Sequence, residues 1–213
     1  MLRRLQRVVP AGAGRPSLPE EHGPIRTITR HVAFDPSAWT PERAGKVAAL
    51  FDSLAPDWDG GPAVRREAVA DALDRGGPFP AGPCLEVGAG TGMATPLLAA
   101  RFSPMVCVDL SAQMLAVAAE NPAPRVQADA AALPVRTGTA AVVALVNMFL
   151  FPAEVDRALA PGGVVLWVNT LGDDTPIHLP AEDVVAALPG GWDGVTADAG
   201  WGTWTSLRRA AAS

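Results

Sequence analysis

The sequence predicts an α/β fold with a doubly wound, mostly parallel sheet of seven strands. From Pro83 onward, short apolar runs alternate with segments of helical periodicity, which is the pattern of β–α–β units. Two runs rich in Trp, Val and Thr, at 192–198 and 203–208, flank the turn Gly200-Trp201-Gly202 and predict an antiparallel hairpin at the sheet edge. The chain has 213 residues, 49% of them hydrophobic and 18% charged, as expected of one soluble domain with some terminal decoration.

Residues 1–30 are predicted to be a disordered or loosely ordered N-terminal tail. The segment is rich in Arg, Pro and Gly, and no acidic residue precedes Glu20. It lacks the long apolar stretch of a secretion signal, but arginine richness without early acids also occurs in transit peptides. A targeting segment is therefore the open alternative.

Residues 31–80 are predicted to form an N-terminal helical flap. A first helix begins at Pro41 and carries apolar residues at three- and four-residue spacing until Pro56. A second helix is predicted from Pro62 through Val64 to Gly76. The rest of the chain, residues 81–213, is predicted to be the ligand-binding α/β domain.

Five strands and four helices are predicted within that domain before the hairpin. The strands are expected at about 84–88, 105–109, 125–128, 141–147 and 164–170. The helices are expected at about 93–102, 111–120, 153–160 and 180–188, the second with Ser111 as N-cap and the third beginning after Pro152.

Three glycines follow the first of these strands, in Gly88-Ala89-Gly90-Thr91-Gly92. Glycine at a strand-to-helix turn lets the backbone approach a ligand, and the N–H groups at the start of the next helix favour negative charge. A dinucleotide fingerprint has its third glycine at the sixth position. That position is Met93 counted from Gly88 and Thr95 counted from Gly90, so the spacing does not fit NAD.

The acid before these glycines, Glu86, favours a ligand without phosphate. A carboxylate two residues before the first glycine would repel a pyrophosphate and attract an ammonium group. S-adenosylmethionine carries an α-ammonium and a sulfonium and no phosphate, and its carboxylate suits the helix N–H groups. The charges therefore favour S-adenosylmethionine as the cofactor.

The segment from Glu86 to Gly92 resembles motif I of the class I S-adenosylmethionine-dependent methyltransferases. The resemblance spans about residues 40–213 and implies a Rossmann-like fold, methyl transfer as the activity and residues 81–213 as the cofactor-binding domain. It assigns cofactor contacts to Glu86, Gly88, Ala89, Gly90 and Gly92.

Two further segments resemble motifs of this family. In the run ending Val108-Asp109-Leu110-Ser111, the family's acid takes both ribose hydroxyls and the next apolar residue lies against adenine, which assigns Asp109 and Leu110, with Met114 nearby. A carboxylate suits a vicinal diol, although Asp109 could alternatively cap the helix near Ser111.

The third-strand segment, beginning Gln127-Ala128-Asp129-Ala130, resembles the family's segment whose acid meets the adenine amino group. Asp129 and Ala130 are assigned to the cofactor on that basis, although Asp129 could instead be a solvated loop acid. Asn147, at the end of the fourth strand, is also predicted to contact the cofactor. The three acids end successive strands, and that edge of an open α/β sheet is where ligands bind.

Residues 50–59 look most like the entry helix of the ubiquinone and menaquinone C-methyltransferases. Those enzymes usually have tyrosine where Trp58 stands. An indole N–H can donate to the cofactor carboxylate but cannot accept a proton, so Trp58 is predicted to bind the cofactor without acting as a base.

The predicted function is methyl transfer (EC 2.1.1.-) to carbon or oxygen of a small molecule. The reaction is an in-line displacement, so alignment and a dry site supply most of the acceleration. No catalytic residue is assigned, and His178 is only a weak candidate for a base. The alternatives are a catalytically silent or non-methylating S-adenosylmethionine-binding protein and, with less support, a nicotinamide-dependent oxidoreductase.

Charge and composition exclude several other functions. The formal net charge of −5 does not suit a nucleic-acid backbone, and the only lysine lies in Gly45-Lys46-Val47 instead of a phosphate-binding P-loop. Cys84 and Cys107 lie in apolar runs and suggest reduced core residues, so no metal is expected. No apolar run is long enough to span a membrane, and a cytoplasmic monomer or homodimer is the expectation.

Overall fold

A computed structural model describes residues 1–13, 23–60, 66–118 and 122–210. Within these residues one sheet contains eight strands, in the order β1-β7-β8-β6-β5-β2-β3-β4. The strands are β1 (Leu2–Arg4), β2 (Cys84–Val87), β3 (Met105–Asp109), β4 (Arg125–Gln127), β5 (Ala140–Val146), β6 (Leu159–Asn169), β7 (Trp192–Ala199) and β8 (Gly202–Arg209). Strands β2 to β6 are parallel, and β8 runs antiparallel to both β6 and β7.

The helices precede, connect and cover these strands. They are α1 (Gly23–Phe34), α2 (Pro41–Leu54), α3 (Glu67–Arg75), α4 (Thr95–Arg101), α5 (Ala112–Val117), α6 (Pro152–Ala158) and α7 (Ala181–Ala187). Short 3₁₀ turns lie at Pro36–Ala38, Ala55–Gly60 and Gly172–Asp174. No helix in the described part of the chain is long and apolar enough to cross a membrane.

The predicted fold class and the C-terminal hairpin are confirmed, but the predicted number of strands was seven. The eighth strand, β1, lies in the stretch predicted to be a tail, where it pairs in parallel with residues Gly194, Val195 and Thr196 of β7. Arg4 also pairs with Asp198 at 3.2 Å. An edge strand leaves unpaired backbone groups that another segment can cover, and local sequence does not reveal that partner.

The second difference from the sequence prediction concerns residues 23–30, which belong to α1. The helix buries Val32 and Ala33, and Ile25 and Ile28 pack against the same core cluster. These positions have helical spacing, so the apolar periodicity of α1 was present in the sequence. The predicted tail is therefore structured at both ends, while Arg15 and Glu20 lie outside the described residues.

Strand β5 divides the core into two layers, because alternate side chains point to opposite faces of the sheet. Val143 and Leu145 belong to the cluster that α1, α6 and α7 cover. Val142 and Ala144 belong to the cluster that α3 and α4 cover. All seven residues of β5 are buried, as expected of a central parallel strand.

The predicted flap over residues 31–80 is divided between these two layers. Val47 and Phe51 of α2 pack on the side that α1 covers, whereas α3 packs on the opposite side. The Trp204 indole donates to Asp71 of α3 at 2.6 Å, which fixes α3 to β8. The predicted helix start at Pro62 and Val64 lies outside the described residues. Residues 23–60, here called the cover, include Trp39, Val47, Phe51 and Trp58, which lie close to the carboxyl ends of the strands.

Candidate functional site

A cleft lies at the carboxyl ends of β2 to β5, between the sheet and the cover. It contains about 820 Å³ of space not filled by atoms, part of it open to solvent. Every residue that the sequence assigned to the cofactor lines it, with the exception of Gly92. The assigned residues that line the cleft are Trp58, Glu86, Gly88, Ala89, Gly90, Asp109, Leu110, Met114, Asp129, Ala130 and Asn147.

The three glycines of the loop after β2 have different structural roles. All three have positive φ, at 73° for Gly88, 56° for Gly90 and 86° for Gly92, a region that glycine enters without strain. A Cβ on Gly88 would collide with the Met148 side chain, whereas a Cβ on Gly90 would meet no atom within 4 Å. Gly92 closes the turn by donating to the Ala89 carbonyl at 2.9 Å. Gly90 is therefore the position where the loop leaves space beside the cleft.

Glu86 is the most buried acid of the cleft, with 2% of its surface exposed. Its Oε2 accepts a hydrogen bond from the Thr95 hydroxyl at 2.6 Å and one from the Cys107 thiol at 3.3 Å. Burial raises the pKa of Glu86 to about 7, against the opposing effect of these two donors. A cation in the cleft would favour the ionised form and lower this pKa again.

Asp109 ends β3 and is held by backbone donors. Its Oδ2 accepts from the Gly90 N–H at 2.7 Å, and its Oδ1 accepts from the Ser111 N–H at 2.8 Å. Burial raises the pKa of Asp109, and the backbone N–H groups oppose that rise. The N-cap of α5 is Ser111, whose hydroxyl accepts from the Met114 N–H at 3.0 Å. The alternative prediction, that Asp109 caps the helix near Ser111, is therefore wrong, because Ser111 itself caps α5.

Asp129 follows β4 and is bonded to a residue that the sequence did not single out. The Trp39 indole N–H lies 3.1 Å from Oδ1 and 2.9 Å from Oδ2 of Asp129, and the Ala131 N–H donates to Oδ1 at 2.8 Å. Trp39 and Asp129 are 90 residues apart, so only the tertiary structure brings them together. Asp129 is half-buried and bonded, which excludes the alternative of a freely solvated loop acid.

Asn147 lines the cleft, but its side-chain amide joins the ends of two strands. Its Nδ2 donates to the Thr170 hydroxyl at 2.8 Å, and its Oδ1 accepts from the Thr170 N–H at 2.8 Å. The residue has φ of 51°, a left-handed conformation that Asn tolerates better than most side chains. These bonds hold the end of β5 beside the end of β6.

The cover is fixed to the sheet domain at a second point, on α5. Asp52 of α2 accepts from the Ser111 hydroxyl at 2.5 Å and from the Gln113 N–H at 3.1 Å. These donors lower the pKa of Asp52. Trp58 follows α2 and packs against Phe51 with ring centroids 5.7 Å apart. Apart from its carboxylates and the glycine loop, the cleft is mainly apolar, with the aromatic side chains of Trp39, Phe51, Trp58, Phe149 and Phe151 in its lining.

The structure does not bring His178 to the cleft. Its neighbour Ile177 lines the cleft, whereas the His178 side chain is buried beside Asp173, with Nε2 3.3 Å from Oδ1. Burial lowers the pKa of His178. Among the described residues no cluster of His, Cys, Asp and Glu could hold a metal ion.

Comparison with known proteins finds one matching family model. Residues 85–167 match the family model described as a methyltransferase domain. This segment, which contains the glycine loop and the acids at the strand ends, is similar to methyltransferase domains. The match supports S-adenosylmethionine as the cofactor and gives no support to the alternative of a nicotinamide-dependent oxidoreductase. No protein with a curated description matches the whole sequence significantly.

Solved structures agree with this methyltransferase domain in fold. The DhpI-SAH complex aligns with TM-score 0.62 and 21% identity over 79% of this chain and 98% of that chain. A SAM-dependent methyltransferase from Aquifex aeolicus aligns with TM-score 0.60 and 14% identity over 73% and 97%. The Haloferax volcanii protein complexed with the Trm112 methyltransferase activator aligns at 22% identity and TM-score 0.49 over 55% of this chain. That alignment spans 59% of the Haloferax protein, so the chain covers about three fifths of that relative.

Proposed function

We propose that the chain transfers a methyl group from S-adenosylmethionine to a carbon or oxygen atom of a small apolar molecule. One observation carries the proposal: a single cleft holds three carboxylates at the ends of β2 and β3 and after β4, beside the open Gly90, together with an aromatic wall under the cover. The carboxylates suit the polar groups of the cofactor, and the aromatic wall suits an apolar acceptor. The catalytic unit then comprises residues 81–210 and the cover.

The lining residues fit the charge distribution of the cofactor. Glu86 suits the ammonium group, and Asp109 retains acceptor capacity for the ribose hydroxyls beyond its two backbone bonds. Leu110 and Met114 offer an apolar surface for the base. Trp58 would donate to the cofactor carboxylate. The open space beside Gly90 would be filled by a Cβ at that position, which explains a glycine there.

The chain contributes alignment and exclusion of water to the reaction. When bound, the cofactor supplies an electrophilic methyl group on a sulfonium. The cover and the aromatic side chains hold the acceptor in line and keep the site dry, which accounts for much of the acceleration in such displacements.

The ionisable side chains among the described lining residues are Glu86, Asp109 and Asp129, all assigned to the cofactor. The acceptor is therefore a compound that ionises by itself, such as a phenol or an enolisable carbonyl compound.

Calorimetry with the whole chain tests the cofactor half of the proposal. We expect micromolar affinity for S-adenosylmethionine and S-adenosylhomocysteine and no binding of NAD. Asp109→Ala should weaken binding by roughly 2 to 3 kcal/mol, because charge-assisted bonds to the ribose are lost. Asp74→Ala, which removes an exposed acid from α3, is the matched control and should leave binding unchanged. Equal affinity in all three proteins would contradict the role of Asp109.

Transfer of a labelled methyl group tests the acceptor half. The chain is incubated with tritium-labelled cofactor and a small-molecule extract, and label is counted in the organic phase and in the protein and nucleic-acid precipitate. We expect label in the organic phase with the wild type and much less with Asp109→Ala. Label in the precipitate would contradict a small-molecule acceptor. Tight binding without any transfer would favour the catalytically silent alternative.

A further inference from the structure

Trp39 is held firmly at the edge of the cleft by its sequence neighbours. Asp35 begins the 3₁₀ turn before it by accepting from the Ser37 N–H at 2.9 Å, and Thr40 caps α2 after it by accepting from the Arg43 N–H at 3.2 Å. The indole packs on the rings of Phe149 and Phe151, with centroids at 5.6 and 5.1 Å. Backbone and ring are both fixed, so the indole N–H has one direction in which to donate.

That direction leads to the carboxylate of Asp129, which also lines the cleft. Oδ1 accepts a hydrogen bond from the Ala131 N–H and lies within reach of the indole N–H. In the described chain Oδ2 accepts from the indole N–H alone. A carboxylate oxygen can accept two hydrogen bonds. Oδ2 therefore keeps an open acceptor position, and the two fixed donors prevent the carboxylate from turning.

We propose that Trp39 is a specificity-determining residue that makes the site selective for a 6-amino purine over a 6-oxo purine. This inference rests on the proposed function and on the assignment of Asp129 to the adenine amino group. A carboxylate in fixed orientation offers an acceptor to an exocyclic amino group. It leaves a 6-oxo group, which is itself an acceptor, without a partner. Without the indole N–H the carboxylate can rotate and take up water, and the discrimination between the two bases falls.

Competition between two ligands that differ only in this group tests the proposal. Affinities for S-adenosylhomocysteine and S-inosylhomocysteine are measured by calorimetry on the whole chain. We expect the wild type to prefer the adenosine compound at least tenfold and Trp39→Phe to reduce this preference at least fivefold. Trp58→Phe is the matched control, because it removes another indole from the cleft lining, one that packs on Phe51 instead of bonding to Asp129. It should weaken both ligands equally and leave their ratio unchanged.

A second variant keeps Trp39 and changes its partner. In Asp129→Asn the Ala131 N–H favours the amide oxygen at the Oδ1 position, which leaves the amide NH₂ group at the Oδ2 position. This donor suits a 6-oxo group, so the preference should reverse in favour of the inosine compound.

The outcomes separate this inference from the function on which it rests. An unchanged ratio in Trp39→Phe would overturn the role of Trp39 even if both ligands bind well. No reversal in Asp129→Asn would overturn the contact between Asp129 and the 6-position of the purine on which that role depends. Failure of S-adenosylhomocysteine to bind the wild type would instead overturn the proposed function.

Discussion

Replacing Glu86 with glutamine should change how the free energy of unfolding depends on pH. The pKa of Glu86 is raised by burial from an ordinary 4.5 to about 7 in the folded chain. Between these two values the folded chain retains a proton that the unfolded chain has lost. Stability from this carboxyl is therefore fully present below pH 4.5 and is lost as the pH rises through 7. Complete ionisation costs roughly 3 kcal/mol, since one pKa unit corresponds to about 1.4 kcal/mol.

Urea unfolding of the wild type and Glu86→Gln at several pH values measures this cost. The other acids titrate in both proteins, so the difference between the two free energies of unfolding isolates Glu86. Between about pH 5 and pH 8 this difference should shift in favour of the variant by roughly 2 to 3 kcal/mol. A difference that stays constant with pH would refute the argument that burial holds this carboxyl neutral.

The same variant links the raised pKa to cofactor binding. If Glu86 meets the ammonium group, it must ionise when the cofactor binds, and the wild type should release a proton near neutral pH. Calorimetry in buffers with different ionisation enthalpies detects that proton. Glu86→Gln should bind S-adenosylhomocysteine more weakly and without proton release. Proton release of equal size in both proteins would assign the titration to another group.

Three further changes have expected outcomes. Gly90→Val should abolish binding of S-adenosylhomocysteine in calorimetry, because the valine side chain enters the cleft. The control is Gly138→Val, at a glycine that also has positive φ and open space but lies outside the cleft; this variant should have similar backbone strain and still bind. Asp52→Ala should loosen the cover through the lost contacts to α5 and speed hydrogen exchange over residues 41–58. Asp57→Ala, which removes an exposed acid of the following turn, should leave that exchange unchanged. Deleting residues 1–13 should lower the midpoint of thermal unfolding, because it exposes the edge of β7. The affinity for S-adenosylhomocysteine should stay within twofold of the wild type. A large loss of affinity would contradict the separation of β1 from the cleft.

Local patterns were sufficient wherever a residue's role depends on its neighbours in sequence. The alternation of apolar runs and helices predicted the parallel sheet, and the turn at Gly200 predicted the hairpin of β7 and β8. The positive φ of Gly88 and Gly90 follows from their place between a strand and a helix. Strand ends in a parallel sheet meet at one edge, which is why the predicted acids lie together in the cleft.

Contacts between distant segments could not be predicted in this way. Strand β1 forms because the edge of β7 offers unpaired backbone groups, and nothing in Leu2–Arg4 specifies that partner. His178 was a reasonable candidate for a base by residue type, but its neighbour Ile177 takes the position facing the cleft. The sequence alone determined the parallel strands β2 to β6, the glycine loop and the acids at the strand ends, because period and turn chemistry are local. Only the tertiary structure joined Trp39 to Asp129, because a hydrogen bond across 90 residues depends on how the cover packs on the sheet.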